Sequence, residues 1–177
     1  MSAALRFCLV TTFYPPYHFG GDGVFVYRLA RALAARGHAV DVVHSIDAFQ
    51  LAGTAPHEGF AESPGVSRLP LRTPLPLLSS LASHQLGSPG PYRHRLREIL
   101  APGRYDVIHF HNVSLVGGPE VLRYGDGVKL YTAHEYWLDA PLTCCSSSIA
   151  RRATPRNACA VRCAHAARRS FGGRQRA

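Results

Sequence analysis

The sequence lacks several patterns that would assign it to common functional classes. No apolar run approaches about 18 residues, the length that a membrane-spanning helix needs. There is no Gly-x-Gly-x-x-Gly after the first apolar run and no phosphate-loop lysine, which excludes a dinucleotide fingerprint and a P-loop. No charged leader followed by an apolar stretch and a cleavage site is found at the start. We therefore expect a cytoplasmic protein with reduced thiols.

Acidic residues are missing from the end of the chain, and this explains the formal net charge of +9. Residues 1–141 carry twelve Lys and Arg against eleven Asp and Glu, whereas residues 142–177 carry eight Arg with no acid and no Lys. A nucleic-acid-binding surface would spread its charge and interleave it with aromatic residues. We therefore expect no nucleic-acid partner.

The chain has the length and the 46% hydrophobic content of one domain with a tail. We assign residues 1–141 to the domain and residues 142–177 to an irregular basic tail rich in Arg, Ala and Cys. Three interpretations of this tail stay open. The first is a frameshift or truncation, since out-of-frame translation of a GC-rich gene gives a sequence rich in Arg and Ala. The second is a genuine disordered segment, and the third is a folded element.

Apolar runs alternate with helical stretches along the domain, which predicts an α/β, Rossmann-like open parallel sheet with flanking helices. Strands are expected at about 5–11, 39–44, 66–71, 104–111 and 128–133. Helices are expected at about 23–36, 75–86, 92–100 and 119–124, with a loop over 47–65. Cys8, in the first strand, is expected to be a small core residue.

The first helix follows a loop that contains Gly20, Gly21 and Gly23. The start of a helix offers unpaired amides and the positive end of the dipole, so this loop is a natural seat for an anion. A flexible loop with a good helix entry is the alternative. Apolar residues recur at helical spacing on one face of the helix, at Val26, Leu29, Ala30, Leu33 and Ala34.

Polar residues follow two of the later strands. His111 and Asn112 end the strand at 104–111, and His134 and Glu135 follow the strand at 128–133. Because open parallel sheets bind ligands beyond the carboxyl ends of their strands, this placement favours a site. An imidazole there can hydrogen-bond a ligand hydroxyl or steady negative charge. The alternative for His134 and Glu135 is a surface His–Glu pair or a helix cap. The alternative for His111 and Asn112 is structural hydrogen bonding.

We predict no metal and no organic cofactor. His109 and His111 lie two residues apart on one face of their strand and could share an ion, but no carboxylate or cysteine stands beside them. A zinc site in the tail is the other candidate, and its spacing matches no established ligand pattern. Its ligands would be Cys144, Cys145, Cys159, Cys163 and His165.

Four motifs occur in one order along residues 6 to 138. They are Gly20-Gly21-x-Gly23, the run from Leu29 to Val40 (Leu-Ala-x-x-Leu-Ala-x-Arg-Gly-His-x-Val), Asp106-Val-Ile-His-Phe-His-Asn112 and Tyr131-Thr-Ala-His-Glu-Tyr-Trp137. In this order they resemble the N-terminal domain of retaining glycosyltransferases of family 4, which have the GT-B fold.

This resemblance implies transfer of a glycosyl group, with retention, from a nucleotide-sugar donor to a hydroxyl of a sugar or lipid-linked acceptor. It implies a catalytic role for His134, with Glu135 at a position often held by an acid. It also implies that the glycine loop contacts the donor phosphate or the acceptor. Relatives are generally metal-independent and often touch the membrane surface, so peripheral membrane contact is a further expected partner.

The sequence departs from the family in one respect. Donor recognition in the family lies in a C-terminal domain with a Glu-x7-Glu motif, which these 177 residues do not contain. We therefore expect little or no transferase activity from this chain alone, and a separately encoded C-terminal domain as its partner. The alternative is a non-catalytic binding module or an inactive remnant of a split gene.

Overall fold

A computed structural model describes residues 3–53, 55–61 and 63–134. Within these residues, strands alternate with helices along the chain. The strands are β1 (Arg6–Val10), β2 (Ala39–Ser45), β3 (Val66–Leu71), β4 (Val107–Phe110) and β5 (Val128–Tyr131). The α-helices are α1 (Gly20–Ala35), α2 (Ile46–Gln50), α3 (Pro76–Leu86) and α4 (Arg93–Ile99), and short 3-10 helices span Gly90–Tyr92 and Gly118–Arg123.

The five strands form one sheet in the order β3-β2-β1-β4-β5, and every neighbouring pair is parallel. The prediction of an α/β, Rossmann-like parallel sheet is confirmed. The chain adds β2 and β3 on one side of β1 and then returns to add β4 and β5 on the other side. The direction of winding therefore reverses between β1 and β4, and such a reversal opens a crevice at the carboxyl ends of the two strands.

Alternating side chains of β1 serve two separate cores, one on each face of the sheet. Cys8 and Val10 pack with Leu96 and Ile99 of α4 on one face. Leu9 packs with Val26 and other apolar residues of α1 on the opposite face. This is the period of two that a strand buried on both faces requires. Cys8 is fully buried, as its place in the first strand predicts.

Three local predictions differ from the structure. The expected loop over 47–65 begins with the short helix α2, because the Oγ of Ser45 accepts a hydrogen bond from the amide of Ala48 at 3.1 Å and caps it. The expected helix at 119–124 is a 3-10 helix. The first helix begins at Gly20 instead of Gly23, so all three glycines lie inside the helix.

Helix α3 buries its small residues and exposes its large ones. Ser79, Ala82 and Ser83 face the interior. Four leucines of the helix are exposed, namely Leu77, Leu78, Leu81 and Leu86. In the part of the chain that the structure describes, no helix combines the length and hydropathy needed to cross a membrane.

Candidate functional site

The reversal point of the sheet brings three chain segments to one end of the molecule. β1 ends at Val10 and leads into the loop before α1, β4 ends at Phe110, and β5 ends at Tyr131. Because the strands are parallel and adjacent in the order β1-β4-β5, the residues that follow each strand lie at the same edge of the sheet. The glycine loop, His111 with Asn112, and His134 all follow one of these strand ends.

The first turn of α1 offers free donors at Gly20 and Gly21. Both residues are exposed, and a methyl group added to either would meet no atom within 4 Å. Gly20 has a φ of +68°, which favours glycine at this position. The first amides of a helix have no intrahelical acceptor, and the preceding residue, Phe19, makes no side-chain cap for them. An anion or a ligand hydroxyl could therefore approach them closely.

Gly23 has a different role from the other two glycines. It is buried, and a Cβ placed on it would lie 2.8 Å from the Cβ of His18 and 3.3 Å from the carbonyl oxygen of Phe13. Its amide already donates to Oδ1 of Asp22 at 2.7 Å. Gly23 thus lets the loop before α1 pack against the helix, and the donors available to a ligand are those of Gly20 and Gly21.

Asn112 ties the loop after β4 to the loop after β1. The Oγ1 of Thr12 lies 3.0 Å from the carbonyl oxygen of Asn112 and 3.1 Å from its Oδ1. That same Oδ1 accepts from the amide and the hydroxyl of Ser114, at 3.1 and 2.6 Å. The Nδ2 of Asn112 lies 3.5 Å from Oδ2 of Asp22 in the first turn of α1. These contacts fix the relative position of the two loops that border the crevice.

Three imidazoles line the β4–β5 side of the same edge. The Nδ1 of His111 lies 3.1 Å from the Nε2 of His134, which is a hydrogen bond between the two rings. The ring of His109 stands 4.1 Å from that of His111, and its Nε2 lies 2.8 Å from the Oγ1 of Thr132. His109 lies in β4 and His111 follows the last residue of the strand, and their rings lie side by side, as the alternation of an extended chain predicts.

Burial keeps the inner imidazoles neutral. His111 is completely buried, and its burial, together with the neighbouring His109 and His134, lowers its pKa to about 3. Burial, and to a smaller extent His134, also lowers the pKa of His109. Both rings are therefore neutral at physiological pH, and each holds its proton on one of its two nitrogens.

Phe25 connects the helix to the imidazoles. Its ring lies 5.3 Å from that of His134 and 6.0 Å from that of His111, in edge-to-face arrangements. Phe25 is 47% exposed, so an aromatic ring from the second turn of α1 stands at the border between His134 and solvent. No sequence pattern singles out Phe25, which lies one position before the apolar stripe of α1.

His18 is a second residue that no sequence pattern singles out. Its ring stacks on that of His57 at 4.6 Å and meets the edge of Phe60 at 4.9 Å. Neither ring nitrogen has a hydrogen-bond partner among the described residues. Burial, followed by the effect of His57, lowers the pKa of His18. The signal that could have found it is its place in the loop that supports the glycines.

The structure therefore brings Gly20, Gly21, Asn112, His111 and His134 to one end of the sheet. Glu135 lies outside the described residues, as does the tail over 142–177 with its cysteines. In residues 3–53, 55–61 and 63–134, no group of three or more His, Cys, Asp or Glu is arranged to hold a metal ion. What the arrangement offers chemically is the first amides of α1, at Gly20 and Gly21, and the imidazole of His134 at one end of the sheet.

Residues 19–171 match the family model Glycosyltransferase Family 4. The matched range contains Gly20, Gly21, His111, Asn112 and His134, and it runs past Leu142, where the basic tail is predicted to begin. The boundary at 141/142 stays a prediction. A search of curated proteins finds no significant match.

Proposed function

The chain belongs to glycosyltransferase family 4, and on that premise we propose that it serves a retaining glycosyltransferase as the domain that binds the acceptor and orients it towards the donor. The reaction is transfer of a sugar from a nucleotide-sugar donor to a hydroxyl of a sugar or lipid-linked acceptor. One observation carries this proposal: the first turn of α1 and His134 lie at the same end of the sheet. Phe25 of α1 connects them, since its ring lies 5.3 Å from that of His134.

In this proposal the two sides of the crevice have separate tasks. The amides of Gly20 and Gly21 hydrogen-bond a phosphate oxygen or a sugar hydroxyl, aided by the positive end of the α1 dipole. The imidazole of His134 donates a hydrogen bond to the sugar or to the charge that develops on the leaving diphosphate. Holding both reactants in line lowers the entropic part of the barrier. The proposal also includes Glu135, the acidic residue that follows His134 in the chain, as a catalytic residue.

The proposal includes a second domain that grips the nucleotide. One imidazole and two backbone amides supply little charge to balance a leaving diphosphate, which calls for cationic groups or a helix dipole from the other side of a cleft. We propose that these come from a C-terminal domain, encoded separately or farther along the gene. Purified residues 1–177 should then release no nucleotide above background, and robust turnover by this chain alone would contradict the proposal.

Ligand binding tests the proposed site directly. In amide NMR spectra of the 177-residue chain, UDP, GDP and their glucose and mannose conjugates should shift the signals of Gly20, Gly21 and His134 at millimolar ligand. His134→Gln should reduce these shifts, whereas His94→Gln should leave them unchanged, because the side chain of His94 is 88% exposed on α4. Shifts confined to other surfaces, or none, would contradict the proposal and favour a module without transferase function.

A lipid-linked acceptor would bring the domain to a membrane surface, and we include that contact in the proposal. Its support is α3, whose exposed Leu77, Leu78 and Leu81 lie on a helix without acidic residues. The chain should co-sediment with anionic phospholipid vesicles, and a triple change of these leucines to serine should abolish sedimentation. Equal sedimentation of both proteins would exclude α3 as the contact.

A cytoplasmic location also belongs to the proposal, supported by the free, buried thiol of Cys8.

A further inference from the structure

The buried imidazole of His111 is the feature of the site that the proposed reaction does not use. It is completely buried, so it cannot reach a ligand in the crevice. Its Nδ1 lies 3.1 Å from the Nε2 of His134, and its own Nε2 is buried with no partner among the described residues. This asymmetry between the two nitrogens determines where the protons sit.

Two arrangements of the protons are compatible with a hydrogen bond between neutral rings. In one, His111 carries its proton on Nδ1 and donates to Nε2 of His134, which leaves an unpaired lone pair on the buried Nε2 of His111. In the other, His111 carries its proton on Nε2 and accepts from His134, which leaves a buried N–H without an acceptor. Orphaned buried N–H groups are the rarer of the two in proteins, so the first arrangement is favoured.

The first arrangement dictates the state of His134. If Nε2 of His134 accepts the proton of His111, the neutral ring of His134 must carry its own proton on Nδ1. We propose that His111 is a positioning residue that holds His134 in the Nδ1–H tautomer and leaves this N–H as the donor available to a ligand in the crevice. This inference rests on the proposed function only for the role of His134; the proton positions follow from the two rings alone.

The neighbours of the pair hold this geometry in place. The backbone amide of His111 donates to the carbonyl oxygen of Val10 at 2.9 Å, which anchors the residue at the β1–β4 junction. His109 packs at 4.1 Å on one side of its ring, and Phe25 covers both His111 and His134 from α1. His109 is itself held by its contact with Thr132 at 2.8 Å, so the inner ring has little freedom to turn.

Tautomers are read directly from two-bond 1H–15N correlations of histidine side chains. With the 177-residue chain labelled on histidine nitrogen, free of ligand and at mildly alkaline pH, His134 should show a protonated Nδ1 and an unprotonated Nε2. His134→Gln identifies its signals. A His134 that carries its proton on Nε2 in the unaltered protein would overturn the inference.

Two variants separate positioning from a structural role. In His111→Asn the side-chain NH2 stands close to where Nδ1 was, and the Nδ1–H form of His134 should persist. In His111→Leu the donor is gone, and His134 should shift to the Nε2–H form that the ring of free histidine prefers. An unchanged tautomer in His111→Leu would overturn the inference. Should that variant not fold, the unaltered protein and His111→Asn decide the question.

The same samples keep this inference apart from the proposed function. If His134 has the expected tautomer but no nucleotide or nucleotide sugar shifts the signals of Gly20, Gly21 or His134, the proposed function fails and the positioning role stands. If nucleotide sugars bind while His134 holds its proton on Nε2, the positioning role fails and the proposed function stands.

Discussion

Gly23 and Gly21 lie two residues apart in α1, and the same substitution should affect them in opposite directions. An alanine at Gly21 meets no atom within 4 Å and gains helix propensity, worth about 1 kcal/mol at most. An alanine at Gly23 gains the same propensity, but its Cβ would lie 2.8 Å from the Cβ of His18. That distance is too short for two carbon atoms, so either the 13–18 loop or the helix must move.

The cost of this movement can be bounded. Inserting a methyl group into a packed site costs about 1–3 kcal/mol. The neighbours here resist, because the carbonyl oxygen of Phe13 lies 3.3 Å from the same Cβ position and His18 is held between His57 and Phe60. After the propensity gain, Gly23→Ala should lose about 0–2 kcal/mol relative to the unaltered protein. Relative to Gly21→Ala the loss should be about 1–3 kcal/mol.

Urea unfolding of the two variants and the unaltered chain measures this difference. A change of 1 kcal/mol corresponds to about 2–4 °C in Tm for a protein of this size, so thermal melting provides an independent reading. Gly21→Ala should also weaken nucleotide-induced shifts, because its methyl group stands where a ligand would approach. Equal stability of Gly21→Ala and Gly23→Ala would refute the assignment of Gly23 to loop packing.

Two further predictions concern the buried end of β2. Asp47 accepts hydrogen bonds from the hydroxyl of Tyr92 at 2.8 Å and the amide of Thr73 at 2.7 Å, so Asp47→Ala should cost about 1–3 kcal/mol in urea unfolding, against about 1 kcal/mol for the control Tyr92→Phe. A smaller loss for Asp47→Ala than for Tyr92→Phe would be contrary to this. Burial, then Arg68 and Arg72, lowers the pKa of His44 from 6.5 to about 4. The unfolded chain therefore binds the extra proton first as the pH falls, and stability should drop between pH 6.5 and about 4 by about 3 kcal/mol at most. In His44→Phe the loss of stability between pH 6.5 and about 4 that is due to His44 should disappear. An unchanged dependence of stability on pH in this variant would refute the assignment to His44.

The sheet was predictable because its signals are local and repeat along the chain. Val107, Ile108 and Phe110 mark a strand by their apolar character, and the strand ends where His111 begins the polar stretch. The strand at 66–71 was predicted at the bounds that the structure shows, despite Pro70. Pro70 is tolerated because β3 is the outermost strand on its side of the sheet that the structure describes, and there it pairs with β2 alone. Helix α2 was missed because five residues are too few to display a helical period, and its Ser45 cap is recognisable only once the helix is known.

The candidate site was predictable only as a set of strand ends. Parallel topology places His111 and His134 at the same end of the sheet, whatever their contacts. Their positions in the sequence were therefore enough to predict that they lie close together. Three other features were not predictable, because they depend on the path of loops such as 11–19, whose sequence has no helical or strand periodicity. They are the pairing of the two histidine nitrogens, the packing of Gly23 on His18, and the position of Phe25. The opposite uses of Gly21 and Gly23 could not have been read from a sequence in which both are simply glycines near a helix start.

His111 stands where an apolar residue would serve the core better. A buried polar atom without a partner costs about 1–3 kcal/mol, and the Nε2 of His111 is such an atom among the described residues. His111→Leu fills nearly the same volume, removes that cost, and leaves the partly buried His134 to bond water instead. We therefore expect His111→Leu to be at least as stable as the unaltered chain in urea, while His109→Leu, which breaks the 2.8 Å contact with Thr132, should be less stable. A stabilised His111→Leu whose His134 has lost its Nδ1–H form would show that stability is sacrificed for proton placement, as expected at a functional site. A loss of stability larger than that of His109→Leu would instead make His111 a structural residue of the core.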